Sequence, residues 1–153
     1  MNKKFNYLLV LLFSLFVYSN QLFCESATKT ECMEKVEEVS LIIEEKGIRK
    51  AAEAVMAKKS NFVWKDSYVF IIHTKGMCVA HPGKPKLVGK NVLSLRDDDG
   101  KYFIKALIKS AKEKGACWTD YKFPRPNSRQ ETFKLTYVKQ TGSFIVGAGM
   151  YIE

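Results

Sequence analysis

This sequence is poor in histidine and shows no recognisable arrangement of catalytic residues. There are two histidines among 153 residues, His73 and His81, and no GxSxG motif. A hydrolase needs a nucleophile with a positioned base beside it. Cys78 or Cys117 could act as a thiol with His81, but their spacing does not by itself argue for such a site. We therefore expect a protein that is not an enzyme.

No metal-binding spacing of residues is apparent either. The triple Asp97-Asp98-Asp99 lacks the spaced oxygen ligands and the distal glutamate of an EF-hand calcium loop. Acidic residues also favour the start of a helix, where they interact with the macrodipole, and we assign the triple to that role. No CxxC or Cys/His cluster of metal-binding spacing is present. We predict neither a metal nor a cofactor.

The first 26 residues predict export of the chain. Two lysines precede an almost unbroken apolar run from Tyr7 to Tyr18, which is shorter than the roughly 20 residues of a membrane span. Such a pattern is typical of a secretory signal peptide. Small residues at Cys24 and Ser26 favour cleavage after Ser26, while cleavage after Cys24 and an uncleaved membrane anchor are the alternatives. We predict a signal peptide at 1–26, a single domain at 27–153, and a periplasmic or extracellular location.

Charge and cysteine content limit the partners further. The formal net charge is +9, and a basic surface could suit nucleic acid, an anionic membrane or an anionic ligand. We expect no nucleic-acid partner, because the lysines are scattered and the chain is predicted to leave the cytoplasm. Cleavage would leave Cys32, Cys78 and Cys117, and an odd number in an oxidising compartment leaves at least one thiol free or intermolecular. Which two could pair stays open, and small buried thiols are the alternative.

Helical periodicity dominates the segment after the leader. Thr28 and Glu31 fit a capping box at the start of a helix over 28–46, whose apolar residues recur on one face. Gly47 interrupts this helix, and a second helical stretch runs from Ile48 to about Lys59. We expect the two stretches to lie along the domain.

Strand patterns follow. Ser67–His73 and Met77–Ala80 are joined by a turn signal and predict a β-hairpin. A helix over 102–114 comes next, with the acidic triple at its start. The three remaining strand candidates span 116–123, 132–139 and 144–152. Hairpin-linked strands imply an antiparallel sheet, so the predicted fold class is α+β.

This order of elements, together with short local motifs, resembles the single Cache domain family of bacterial chemoreceptors and sensor kinases. The motifs fall in the family's order and at about its spacing, over nearly the whole chain after the leader. They are Phe62–Phe70, Val79–Pro82, Leu87–Asn91, Asp99–Phe103, Trp118–Lys122, Lys134–Val138 and Val146–Tyr151.

The resemblance implies a long N-terminal helix packed on a five-stranded antiparallel PAS-like sheet. It also implies a pocket between the sheet and the segments that link strands two and three, with small organic acids, amines or amino acids as ligands. An organic anion in an apolar pocket needs a cation or several donors, together with aromatic walls. Lys134 is the candidate cation, because the family pattern often has a lysine there. The candidate wall and donor residues are Trp118, Tyr121, Tyr137, His81 and Phe103.

Side-chain alternation constrains these candidates. Trp118 and Tyr121 are an odd number of positions apart, and so are Lys134 and Tyr137. Unless a bulge intervenes, each pair is split between the two faces of the sheet, so at least one candidate is structural. His81 ends the second strand before Pro82. It could donate to a ligand, with a charge that varies near neutral pH, or it could hold the turn of the backbone.

The sequence ends at Glu153, directly after the last predicted strand, without an exit helix or an output region. We therefore expect a small-molecule-binding domain without its own output domain, which could serve a membrane receptor or a sensor kinase. The alternative is an interaction protein that uses the same fold to dock on a membrane receptor or to form a homodimer through its N-terminal helix.

Overall fold

The structure, a computed structural model, describes residues 25–152, which contain two α-helices, six strands and the short 3₁₀ turn Pro85–Leu87. The helices are α1 (Lys29–Met56) and α2 (Phe103–Lys114). The strands are β1 (Val63–Trp64), β2 (Ser67–His73), β3 (Cys78–Ala80), β4 (Ala116–Pro124), β5 (Glu131–Thr141) and β6 (Phe144–Tyr151). The predicted signal peptide lies outside the described residues except for its last two. Within those residues, no helix has the length and apolar character needed to cross a membrane.

Helix α1 begins at the predicted capping box. The Thr28 hydroxyl accepts from the Glu31 N–H at 3.2 Å, and the Glu31 carboxylate accepts from the Thr28 N–H at 2.8 Å. Gly47 interrupts the helix with φ 80° and ψ 164°, a combination that is essentially restricted to glycine. Both predicted helical stretches are therefore confirmed, and the second ends at Met56 instead of near Lys59.

The strands form one antiparallel sheet. Its main order is β3-β2-β6-β5-β4, which is the expected five-stranded arrangement. The two-residue strand β1, which the sequence did not predict, adds a sixth strand beside the start of β2, where Val63 pairs with Tyr68. Lys65, at positive φ between β1 and β2, allows the tight turn that joins them.

The sheet separates two apolar cores. On one face, α1 packs through residues such as Val36 and Val39 against Val146 of β6. On the other face, α2 and the segment between β3 and α2 cover a second core that includes Phe70 and Leu107. The two helices therefore lie on opposite faces of the sheet.

The acidic triple does not begin α2, and that assignment is wrong. The first turn of α2, which starts at Phe103, contains no acidic residue. The Asp97 carboxylate instead accepts from the main-chain N–H of Lys101 at 2.8 Å and from that of Lys122 at 3.2 Å. Asp99 pairs with the Lys122 ammonium at 2.7 Å. These acids therefore fasten the loop before α2 to strand β4, and do not act on the helix dipole.

The three cysteines of the described chain are free. Cys32 is buried in the core under α1, Cys78 is buried in the opposite core, and Cys117 is partly exposed. Because the sheet lies between Cys32 and Cys78, these two residues fit the alternative of small buried thiols.

Candidate ligand-binding site

Lys134 lies on the sheet face that is turned toward α2. In the register of the sheet it stands opposite Tyr121 on β4 and Tyr151 on β6. Lys134 is only 1% exposed, and its Nζ has no hydrogen-bond partner among residues 25–152. A buried ammonium is stable only when a counter-charge or acceptors compensate for the lost water. This position therefore favours a bound anion.

Aromatic rings surround the Lys134 ammonium. Nζ lies 4.3 Å from the ring centroid of Tyr68, 5.0 Å from that of Tyr151 and 5.5 Å from that of Phe123. These distances allow cation–π attraction. Gly149 leaves room for the lysine stem, because a Cβ at that position would lie 2.8 Å from Lys134 Cε.

Burial lowers the pKa of Lys134 to about 7. Cys32 and Asp66 act in the opposite direction, but they do not restore the ordinary value. Near neutral pH the amine is therefore divided between its charged and neutral forms. An anion bound beside Nζ would favour the charged form and raise the pKa again.

His81 is buried between aromatic rings and fixes a turn. Its ring centroid lies 5.0 Å from that of Tyr68 and 5.9 Å from that of Phe123. Its Nδ1 accepts from the Lys84 N–H at 2.9 Å, which leaves the ring proton on Nε2. Burial, followed by the nearby charge of Lys134, lowers the pKa of His81 to about 3. The expected change of charge near neutral pH is therefore wrong, and His81 is a neutral donor.

Tyr121 and Phe103 form a parallel stack that joins the sheet to α2. Their ring centroids are 4.8 Å apart, and the rings are inclined by 4°. The Tyr121 hydroxyl accepts from the Thr136 hydroxyl at 3.3 Å. Burial raises the pKa of Tyr121 to about 12, so its own proton remains available for donation to a ligand.

A small cavity adjoins these groups. Its volume is about 10 Å³, on the order of one water molecule, and its walls include His81, Tyr121 and Phe123. Lys134 is not itself a wall residue, but the ring centroid of the wall residue Phe123 lies 5.5 Å from Lys134 Nζ, so the cavity is close to the buried ammonium. Even a ligand of a few atoms requires these walls to move apart.

A larger groove lies outside the cavity. Its volume is about 430 Å³, and it shares Phe103 and Phe123 with the cavity wall. The charged residues that line it are Lys84, Lys86, Arg96 and Glu131. An anion that enters by this route passes a predominantly basic rim.

The other two predicted site residues lie on the opposite face of the sheet. Trp118 and Tyr137 are cross-strand partners under α1, with ring centroids 5.4 Å apart. The Tyr137 hydroxyl donates to the Glu37 carboxylate of α1 at 3.5 Å. The split that side-chain alternation predicted is confirmed. The structure brings together Lys134, Tyr121, His81 and Phe103.

A long helix lies on one face of the antiparallel sheet, and a covered pocket lies on the other. This architecture agrees with a family match that spans almost all of the described residues. A family model described as a Cache domain matches residues 26–153. The chain belongs to the Cache domain family. The expected resemblance and the α+β, PAS-like fold class are thereby confirmed.

Two curated proteins with signalling roles match part of this Cache domain. The sensor histidine kinase MctS of Rhizobium johnstonii is 34% identical over 91 residues. The methyl-accepting chemotaxis protein McpP of Pseudomonas putida is 26% identical over 90 residues. Each match covers 58% of this chain, but only 20% of the kinase and 16% of the chemotaxis protein. The chain therefore corresponds to a small part of each relative.

Solved structures share the fold over most of its length. A Cache chemosensory domain studied for carboxylic acid recognition superposes with a TM-score of 0.72 at 22% identity, covering 81% of this chain and 92% of its own. A methyl-accepting chemotaxis protein from Vibrio parahaemolyticus gives 0.65 at 25% identity, covering 82% and 88%. These likenesses establish the Cache fold of the described chain.

Sequence reasoning missed three rings of the candidate site, those of Tyr68, Phe123 and Tyr151. Phe123 and Tyr151 are at the ends of predicted strands, and Tyr68 is near the start of one. The sequence alone could have indicated their face of the sheet, because side chains alternate between the two faces along a strand. Tyr121 and Phe123 are two positions apart, so alternation alone places them on one face.

Proposed function

We propose that this Cache domain is an extracytoplasmic sensor that binds a small carboxylate at Lys134. The observation that carries the proposal is the buried Lys134 ammonium, which lies among three rings with no hydrogen-bond partner in the described part of the chain. A carboxylate would supply the missing negative charge and accept a charge-assisted hydrogen bond from Nζ. Its short apolar part would contact the rings.

The neighbouring donors favour an organic acid over the other two expected ligand classes. The Tyr121 hydroxyl and the His81 Nε2–H can both donate to carboxylate oxygens while remaining neutral. The described residues that wall the cavity include no carboxylate. The ammonium group of an amine or an amino acid would therefore lack a counter-charge and would be repelled by Lys134.

Two further observations support the proposal. The rim of the outer groove carries three cations and one carboxylate, so it attracts anions. In addition, a Cache domain of the same fold is known from a study of carboxylic acid recognition.

The proposed activity is binding without a chemical step, a metal or a cofactor. We place it in the periplasm or outside the cell, because the first 26 residues predict a signal peptide. The partner that receives the signal would be a membrane receptor or a sensor kinase.

The test is a thermal-shift screen of protein purified from expression of the full chain. The ligands are acetate, propionate and pyruvate as acids, methylamine and ethylamine as amines, and free alanine and serine as amino acids. A ligand at 100 times its Kd stabilises the folded state by about 2.7 kcal/mol, so at least one acid should raise Tm clearly. Lys134→Met should abolish the rise. The matched control is Lys109→Met, at an exposed position of α2, and this variant should retain the rise in Tm.

Three outcomes would overturn the proposal. A rise in Tm with amines alone would reject the ligand class. A rise that survives in folded Lys134→Met would reject the site. If folded wild-type protein shows no rise with any class, the domain does not bind these ligands, and the interaction role becomes the better reading.

A further inference from the structure

Ala27 is the first buried residue of the described chain. It is 2% exposed, and its main-chain N–H donates to Asp66 Oδ1 at 2.8 Å. Asp66 lies in the turn between β1 and β2 and is itself only 5% exposed. The chain just before helix α1 is thus fastened to the sheet through one buried carboxylate.

The second oxygen of that carboxylate is also engaged. Asp66 Oδ2 pairs with a guanidinium nitrogen of Arg125 at 3.1 Å. Arg125 lies in turn over the Tyr151 ring, at 5.2 Å from its centroid. Asp66 is therefore held between a main-chain donor on one side and a cation on the other.

The two described residues before Ala27 are exposed and contribute little to the fold. The Glu25 carboxylate pairs with Lys65 at 2.9 Å, but Lys65 also pairs with Glu31 at 2.7 Å. Removal of Glu25 would leave Lys65 with a partner. The packed domain therefore begins at Ala27.

This structural boundary coincides with the bond that the sequence marks for cleavage, because Cys24 and Ser26 are the small residues at the third and first positions before it. We propose that a leader-cleaving peptidase hydrolyses the Ser26–Ala27 bond, and that the new α-ammonium of Ala27 forms an ion pair with Asp66 in the folded domain. Water supplies the oxygen of the Ser26 carboxylate, and the Ala27 nitrogen takes up the protons that make it an ammonium.

The ion pair follows from the contact that already exists. The Ala27 nitrogen is 2.8 Å from a carboxylate oxygen as an amide, and hydrolysis changes its charge without requiring it to move. The amide–carboxylate bond has one charged partner and the ammonium–carboxylate bond has two, so hydrolysis adds a Coulomb attraction between opposite charges. Cleavage after Cys24 would instead put the ammonium on exposed Glu25, where Asp66 would keep only the amide donor. The inference is independent of the proposed ligand.

The test starts from the full chain, expressed in a bacterium that exports it. The intact mass of the exported protein should correspond to residues 27–153. Its α-amine should then be labelled by an amine-reactive acyl ester at pH 7, with the modified position read by mass spectrometry. Because an ion pair worth about 1.4 kcal/mol changes an equilibrium tenfold, we expect labelling at least about tenfold slower in the folded than in the urea-unfolded protein.

Asp66→Asn should remove most of this protection in the folded protein. The matched control is Asp120→Asn, whose carboxylate is exposed and pairs loosely with Lys101 at 3.8 Å, and it should keep the protection. An exported protein that begins at Glu25 or retains the leader would overturn the proposal. Equal labelling of folded and unfolded wild-type protein would also overturn the proposal. This comparison tests the proposal even if Asp66→Asn fails to fold.

Discussion

The Nζ of Lys134 lies 4.3 Å from the centroid of the Tyr68 ring, and no acidic side chain of the described chain forms an ion pair with it. An aromatic face attracts a cation, but it replaces only part of the hydration that burial removes. The fold therefore keeps a charge where an apolar residue would be more stable. Such a position is typical of a functional site, because the missing interaction can be supplied by a ligand.

Replacing Lys134 by methionine should stabilise the ligand-free domain. Methionine has a similar length and needs no hydrogen bond, and an unsatisfied buried polar group costs about 1–3 kcal/mol. At pH 6 we expect Lys134→Met to unfold at higher urea concentration than wild type. Lys109→Met, at an exposed position, should leave the midpoint nearly unchanged.

The stability of wild type relative to Lys134→Met should also depend on pH. The pKa of Lys134 is lowered from 10.5 to about 7 in the folded state, so between these values the unfolded chain binds more protons. Wild-type stability should therefore rise with pH in this window, relative to the variant, by up to about 1.4 kcal/mol per pH unit. Urea unfolding of both proteins at pH 6, 7, 8 and 9 measures the difference. A constant difference across this range would show that Lys134 does not titrate as expected.

Carboxylate binding should weaken as the pH rises above 7. The ligand needs the charged form of Lys134, which the free protein loses above its pKa of about 7. The association constant should fall by up to about tenfold per pH unit until the pKa of the complex is reached. Calorimetry at pH 8 in two buffers of different ionisation enthalpy should detect uptake of nearly one proton per ligand. Binding that is equally tight at pH 6 and pH 9, without proton uptake, would contradict this.

Substitution of Tyr121 and substitution of Tyr137 should have different effects on the affinity for the carboxylate. Tyr121 is in register with Lys134 on the pocket face, whereas the hydroxyl of Tyr137 contacts α1 on the other face. Loss of one hydrogen bond of about 1 kcal/mol weakens binding about fivefold, so we expect this from Tyr121→Phe. Tyr137→Phe removes the same atom and should leave Kd unchanged. Calorimetric titration of both variants with the same acid measures the two Kd values. An equal loss of affinity in the two variants would reject the assignment of Tyr121 and Tyr137 to opposite faces of the sheet.

Local patterns were sufficient to predict most of the elements, because their causes are local. Thr28 and Glu31 are three residues apart, and Gly47 breaks a helix by its own backbone conformation. Alternation also predicted that Lys134 and Tyr137 separate. It did not identify the pocket face, since that depends on which face α1 covers, and α1 is about a hundred positions away in sequence from its partner Tyr137.

The two wrong predictions, for Asp97 and His81, failed because the contacts that decide them are not local in the sequence. Asp97 was assigned to a helix start because the helix follows it directly, but its carboxylate contacts Lys122 on a strand beyond that helix. The pKa of His81 depends on burial between rings from other strands, and no spacing in the sequence indicates that burial. Tertiary contacts of this kind decide the chemistry of the site.

The segment over 84–101 should become more ordered when a carboxylate binds. It lies between the groove of about 430 Å³ and the cavity of about 10 Å³, and it contributes Leu87 and Leu95 to both. Its regular structure is the 3₁₀ turn Pro85–Leu87 and one β-bridge from Asn91 to Met77, so its amides are held by turn and loop hydrogen bonds and not by a continuous strand ladder. Because the cavity must widen to admit a ligand, this wall has to open and then close over it.

Hydrogen exchange followed by mass spectrometry measures this change. In the ligand-free protein, peptides from 84–101 should exchange faster than those from β5, and saturating acid should slow them by about tenfold, equivalent to about 1.4 kcal/mol. Amides of α1, on the far face of the sheet, should show no such slowing. Lys134→Met treated with the same acid is the control, and its exchange should not change. If saturating ligand leaves 84–101 unaffected in wild type, the acid enters by another route and this wall is fixed.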